Sequence, residues 1–295
     1  MKEQRFNGYE KFYGYKRGCL ICGNDKECND REVWAKDEYF KALKCTDCGL
    51  VTLDPSLDQD GLNQYYNDYI GNRFKQKQKF DDRKIQYRID KIFIENYINK
   101  GKVLDVGCNG GFFLNTLSEN FEKFGIEIDP KAVDYANKEF NVNVIEGEIG
   151  KDDFEENSFD LIIFRGVIEH LIDPKLALDR SYQLLKPGGL IYFCATPNLD
   201  SFCAEIYREK WNLFHPIEHI NIFSVRTLHR LMGVKRFLLV EERYDYLNTP
   251  YENQNNDYKK LTDDINLKNS GRWYEVEKSP PFWGNMMSVI YKKRI

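Results

Sequence analysis

Beyond residue 100, short apolar runs alternate with segments of helical period, the signature of strands alternating with helices. Val103-Leu104-Asp105-Val106, Lys123 to Ile128, Ser158 to Phe164 and Leu190 to Ala195 read as strands. The first of these is short and nearly all apolar. Helices are expected from Phe112 to Glu119, from Pro130 to Phe140, and across Leu178, Tyr182 and Leu185, which share a face and precede a stop at Lys186-Pro187-Gly188-Gly189. Ser224 caps another, with Leu228, Leu231, Met232 and then Gly233. Strands from Arg236 to Tyr246 and from Asn285 to Tyr291 flank a polar insertion at about 247–284. A loop that long is either a lid or disordered. Trp273, Tyr274, Phe282 and Trp283 near its end suit a lid, an acceptor wall, or an aromatic clip.

Before residue 100 the pattern differs. Gly49 to Leu53 is an apolar strand that Asp54-Pro55 breaks, and an aromatic stretch follows with Tyr65, Tyr66, Tyr69 and Phe74. Over 82–99, Ile85, Ile89, Ile92 and Phe93 recur at helical spacing, with Gly101 placed as a C-terminal cap. Lys and Arg at 73, 75, 77, 79, 83, 84, 88 and 91 make this the most basic stretch. It is either a solvated helix face or a patch that attracts an anionic acceptor such as a nucleotide diphosphate.

The strand at Val103 delivers the loop Gly107-Cys108-Asn109-Gly110-Gly111 into a helix. Such a loop lets a ligand approach the backbone at the positive end of the helix dipole. Alone it would suit a dinucleotide, a phosphate or S-adenosylmethionine. The second strand then ends in Glu127, about 20 residues after the first glycine, where a carboxylate can bind ribose hydroxyls. Gly107-x-x-Gly110-Gly111 does not fit the G-x-G-x-x-G of dehydrogenases.

With these blocks in view, the chain resembles the class I S-adenosylmethionine-dependent methyltransferases. VLDVGCNGG, GIEID, SFDLII, IEHLIDP and LLKPGGLIYF fall in the family's order across residues 102–195. The resemblance implies an α/β fold with a Rossmann-like seven-stranded sheet whose last hairpin is reversed. It assigns Asp105 and Gly107 to the methionine part of S-adenosylmethionine, Glu127 to the ribose, and the stretch near Glu148 to the adenine. Cys108, Asn109, Gly111 and Ile128 count as further cofactor contacts. Asn109 stands where the family's G-x-G-x-G has glycine, but asparagine tolerates a left-handed backbone, so the loop is expected to survive. Asp105 and Glu127 argue against a decayed cofactor site.

The eight cysteines are unevenly spread. Cys19 and Cys22 form one C-x-x-C and Cys45 and Cys48 a second, with 22 residues between. A single C-x-x-C can be a redox motif; two this close point to a tetrahedral zinc shell. Gly23 and Gly49 follow the pairs and ease the turn, and segments around Val33-Trp34 and Tyr39-Phe40 complete a small N-terminal zinc ribbon. Cys28 is a spare that can replace one of the four. Four thiolates leave no open position, so the Zn²⁺ is expected to be structural.

The chain is expected to divide into a ribbon at 1–55, an aromatic and basic helical linker at 56–100, and a methyltransferase core at 101–295. Composition is ordinary for a globular protein, at 42% hydrophobic and 31% charged. A net charge of −4, from 43 basic and 47 acidic residues, argues against a nucleic-acid partner. Met1 to Asn7 has no apolar signal-peptide region, and the longest apolar run, Leu190 to Ala195, is far short of the ~20 residues of a membrane span. A cytoplasmic setting follows, in which cysteines stay as thiols or metal ligands.

All four histidines lie beyond residue 169. His170 follows the fourth core strand, at the sheet end where open α/β folds bind ligands. His215 and His219 flank Glu218 in one motif, and His229 reads as a surface residue. A hydroxyl acceptor must lose a proton, and a histidine paired with a carboxylate suits that task. His215 with Glu218, or His219, are the candidate bases and His170 the next. Packing for His215 and His219, and loop orientation for His170, are the structural alternatives. No tight acidic cluster calls for a catalytic Mg²⁺.

The ribbon, tyrosine-rich linker and core together resemble a methyltransferase subgroup that modifies sugars for bacterial surface polysaccharides. That implies a small acceptor, a sugar or nucleotide-sugar, with O-methylation first. C-methylation of a keto-sugar, methylation of a phosphorylated sugar substituent, an RNA base methyltransferase and a non-catalytic binding protein are the rivals.

Overall fold

The computed structural model describes residues 9, 12–14, 19–22, 31–36, 40–66 and 77–295, the side chains of 77–82 excepted. Cys28, Gly23, Tyr39, Tyr69, Phe74, the stretch Met1 to Asn7 and the basic side chains at 73, 75, 77 and 79 lie outside the described residues.

The N-terminal strands are β1 (Tyr13–Gly14), β2 (Arg31–Lys36), β3 (Lys41–Cys45), β4 (Val51–Leu53) and β5 (Ser56–Leu57). Helices α1 (Gln59–Tyr65) and α2 (Lys77–Glu95) lead into the core. There the chain alternates: β6 (Gly101–Val106), α3 (Phe112–Thr116), β7 (Phe121–Glu127), α4 (Pro130–Glu139), β8 (Asn143–Glu146), β9 (Phe159–Arg165), α5 (Pro174–Leu184), β10 (Leu185–Pro197). The remainder is α6 (Phe202–Tyr207), β11 (Asn221–Ile222), α7 (Val225–Val234), β12 (Phe237–Arg243), α8 (Gln254–Asn269) and β13 (Met286–Lys293).

Seven strands form the central sheet in the order β12-β13-β10-β9-β6-β7-β8. β13 runs antiparallel to both neighbours, and the rest of the sheet is parallel. This is the expected Rossmann-like α/β sheet with a reversed last hairpin. Leu104, Leu161, Ile162, Ile163, Ile191 and Phe193 are fully buried, which explains why these strands read as unbroken apolar runs. Lys186-Pro187-Gly188-Gly189 lies inside β10, as a shift of register against β9, instead of separating helix from strand.

Three local expectations need correction. In α2 the inward face is Gln86, Tyr87, Asp90, Phe93 and Ile94, while Ile85 and Ile92 are 55% and 54% exposed. The cause is ionic: fully buried Asp90 takes Arg165 and Arg243, each at 3.1 Å, and the guanidinium groups lie over Tyr87 and Phe93. Gly101 caps no helix but opens β6, where Asp160 would meet any Cβ at 2.5 Å. The segment 247–284 is neither a bare loop nor disordered. It carries α8, held by Tyr207 and Tyr246 hydroxyls on Asp264 and Asp257, and Trp273 packs on Tyr207 as an aromatic clip.

β2, β3 and β4 form a second sheet, completed by β11 from far along the chain, with Asn221 opposite Thr52 and Ile222 opposite Val51. Thr227 of α7 also donates to the Cys48 carbonyl at 3.1 Å. The N-terminal sheet is thereby joined to the segment that carries His215 and His219.

Candidate active site

The carboxyl ends of β6, β7, β9 and β10 open onto a cavity of about 1290 Å³. At its floor Asp105 is 2% exposed, and its Oδ1 has no hydrogen-bond partner. Burial pushes its carboxyl up to about 7, opposed by the Arg165 guanidinium. Gly107 turns the chain at φ +66°, and a Cβ there would lie 2.8 Å from Val167. Asn109 holds the left-handed φ of +51° expected of it, and its own Oδ1 accepts from Gly110 N–H at 2.8 Å.

Glu127 organises the loop. Its Oε2 accepts from Asn109 N–H at 2.8 Å, and its Oε1 from Ile128 and Asp129 N–H at 2.8 and 3.1 Å. Burial raises this carboxyl and the three amides counteract it. Ile128 and Glu148 line the same cavity, Glu148 paired with Lys151 at 3.0 Å. Cys108 also lines it, but its thiol packs over Gly125, where a Cβ would meet the sulfur at 2.6 Å. Gly111 is turned instead against Ala136 of α4 and is not on the cavity wall. Helix α3 that it opens is five residues long, shorter than the run to Glu119 suggested.

A partnerless buried carboxylate oxygen and a glycine cradle that a side chain would fill are what a cofactor with an ammonium group and a close backbone approach requires. The residues present therefore fit S-adenosylmethionine.

The opposite wall collects histidines from two places. His170 lies in the short 3₁₀ turn Ile168–His170 after β9, and His215 and His219 precede β11. His219 lies 4.9 Å from both His170 and His215, centroid to centroid. The His219 Nδ1–H donates to the Leu213 carbonyl at 2.8 Å. Burial, then the two neighbouring imidazoles, hold His219 well below the usual histidine range. His215 is exposed on the cavity wall. Glu218 accepts a hydrogen bond from the Tyr65 hydroxyl at 3.0 Å. His229 is no plain surface residue: Tyr291 and Glu242 hold its ring nitrogens at 2.6 and 2.7 Å, behind the sheet's reversed edge.

Several cavity residues were not singled out from sequence. Glu169 is 2% exposed, and burial pushes its carboxyl up to about 8. Tyr66 contacts His170 Nδ1 at 3.0 Å. Arg165, anchored on Asp90, reaches the cavity from β9. Glu169 adjoins His170, and Tyr66 lies in the aromatic stretch, so proximity to a marked residue was the signal to follow.

Away from the cavity, Cys19, Cys22, Cys45 and Cys48 place their sulfur atoms within 4.8 Å of one another. Cys19 and Cys48 are 3.3 Å apart, and Cys22 and Cys45 are 3.6 Å apart. A tetrahedral ion with metal–sulfur bonds of about 2.3 Å has sulfur–sulfur edges of about 3.8 Å. The donor set fits such an ion. Gly49, at φ +80°, makes the tight turn after the second pair.

A family model described as a methyltransferase domain matches residues 76–236. Phosphoethanolamine N-methyltransferase 3 of Arabidopsis thaliana is 28% identical over 225 residues, covering 63% of this chain and 44% of that enzyme. The tRNA U34 carboxymethyltransferase of a Sulfurovum species is 32% identical over 126 residues, covering 39% of this chain and 42% of its own length. The chain thus spans under half the length of both enzymes. Among solved structures, an S-adenosylmethionine-dependent methyltransferase of Thermotoga maritima matches with a TM-score of 0.51 at 18% identity, over 79% of this chain and 98% of its own. That likeness is one of fold. Sheet order, cofactor cradle and family match agree: the chain belongs to this methyltransferase-domain family, and its core is an S-adenosylmethionine-dependent methyltransferase domain.

Proposed function

We propose that the protein transfers a methyl group from S-adenosylmethionine to a hydroxyl of a small acceptor, a sugar or nucleotide-sugar used in bacterial surface polysaccharide synthesis. The observation that carries this reading is that one cavity has Asp105, Gly107 and Glu127 on one side and a histidine wall on the other. At about 1290 Å³ it exceeds the ~300–1,000 Å³ of an ordinary ligand pocket, enough for cofactor and acceptor together.

When bound, the cofactor supplies an electrophilic methyl on a sulfonium. Asp105 takes the ammonium of its methionine part, Glu127 the ribose hydroxyls, and Ile128 and Glu148 flank the adenine. His215, exposed on the opposite wall, takes the acceptor's proton and releases it to water. His219 stays neutral and, fixed by Leu213, holds the His215 ring in place. Alignment of acceptor and methyl is the remaining task of the cavity. Zn²⁺ on the four cysteines is structural, keeping the N-terminal sheet and, through β11, the histidine segment in register.

A panel of nucleotide sugars and glycan precursors, read by S-adenosylhomocysteine release and product mass spectrometry, tests the acceptor. With a substrate in hand, His215→Ala at saturating cofactor should lose about 10²–10⁴ of turnover. Near-normal turnover in both His215→Ala and His219→Ala would place the proton acceptor elsewhere. The tRNA-modifying relative favours a second reading, an RNA acceptor. Strongly salt-dependent RNA affinity would support that reading, and its absence would leave the small acceptor.

A further inference from the structure

Glu169, His170 and His219 each bring one ligand atom to within 4.8 Å of the others, in the cavity and apart from the four cysteines. We propose that these three residues bind a divalent transition-metal ion on the acceptor side of the active site. Binding of the ion does not rest on the acceptor being a sugar.

Each imidazole is fixed at one ring nitrogen. Tyr66 holds His170 at Nδ1 and the Leu213 carbonyl holds His219 at Nδ1, at 3.0 and 2.8 Å. A ligating histidine shows this arrangement, with one nitrogen fixed by an outer partner and the other turned to the metal. Here that other nitrogen is Nε2, and His170 Nε2 already lies 3.9 Å from Glu169 Oε1. The second observation is on the carboxylate. Glu169 is 2% exposed, yet its Oε2 has no hydrogen-bond partner. A buried carboxylate oxygen without a partner is costly, and a cation between it and the two imidazoles removes the cost.

Two imidazoles and one carboxylate suit zinc, manganese, cobalt or ferrous ions, and differ in kind from four thiolates. Three protein ligands also leave coordination positions open, the mark of a site that takes an exogenous ligand. All three ligands line the cavity, so the ion would favour acceptors that offer it an oxygen. His215, next to His219, is left to take the proton.

Mn²⁺ separates this site from the cysteine cluster, because thiolates select softer ions. The purified full-length chain, with its cysteine-bound ion in place, is titrated with Mn²⁺ and free Mn²⁺ is read by electron paramagnetic resonance. One Mn²⁺ per chain is expected. Loss of an outer-shell partner costs about 10–100-fold in metal affinity, so Tyr66→Phe should weaken binding by about 10-fold and Glu169→Gln or His219→Gln by more. Wild-type chain that binds no Mn²⁺, or variants that bind it as tightly as wild type, would overturn the proposal. Should Glu169→Gln fail to fold, Tyr66→Phe reads the same site. Calorimetry with S-adenosylhomocysteine on the same samples keeps the readings apart: Mn²⁺ binding without nucleoside binding supports the metal site and counts against the methyltransferase reading.

Discussion

Glu127→Gln tests the cofactor cradle with the least change of shape. The carboxylate accepts three backbone N–H groups, one on Oε2 and two on Oε1. A glutamine amide has only one acceptor atom. With its oxygen toward Ile128 and Asp129, its NH₂ faces the Asn109 N–H; flipped, it faces the other two. Either way a buried donor meets a donor and the loop loses at least one bond. An unsatisfied buried amide costs about 1–3 kcal/mol of stability. The ribose hydroxyls lose a charged acceptor as well, and hydrogen bonds to charged groups are worth about 1.5–3 kcal/mol. At 1.4 kcal/mol per tenfold, Kd for S-adenosylhomocysteine should rise by roughly 10- to 100-fold. Calorimetry measures that change, and urea unfolding measures the loss of stability. A Kd within about threefold of wild type would mean that Glu127 serves the loop alone and that the ribose assignment is wrong.

Asp105 gives a pH dependence of known sign. Burial raises its carboxyl to about 7, above the ~3.9 of an unfolded aspartate. The folded chain holds this proton more tightly than the unfolded chain. Its contribution to stability is therefore complete below about pH 4 and is lost as pH rises through 7. Urea midpoints from pH 5 to 8 should show less of this decline in Asp105→Asn, and an unchanged slope would count against the assignment. Cys45→Ser should lower bound zinc, measured by atomic absorption, and weaken acceptor turnover through β4 and β11 while leaving S-adenosylhomocysteine affinity within a few-fold. Full zinc occupancy in that variant would refute the four-cysteine assignment.

The core of the fold was legible because its signals are local. Buried parallel strands write themselves as apolar runs, and the turn from β6 into α3 needs glycine or asparagine at fixed positions. Helix α2 misled for the opposite reason. The spacing of Ile85, Ile89, Ile92 and Phe93 set the expected face, whereas Arg165 and Arg243, from β9 and β12, turn Asp90 inward by pairing with it. The polar insertion likewise looked loose because the Tyr207 and Tyr246 hydroxyls that anchor α8 come from outside it.

The sequence by itself determined the Rossmann-like sheet, the placement of Asp105, Gly107 and Glu127 at its carboxyl end, and two cysteine pairs spaced for one cluster. In each, the interacting groups sit within short, ordered motifs whose spacing encodes their geometry. Tertiary structure alone decided which partners gather around the histidines on the cavity wall. Tyr65 meets Glu218 across 153 positions and Tyr66 meets His170 across 104, and β11 ties the histidine segment to the N-terminal sheet. Such contacts follow from how elements pack, and no local pattern records which side chains a distant element will bring.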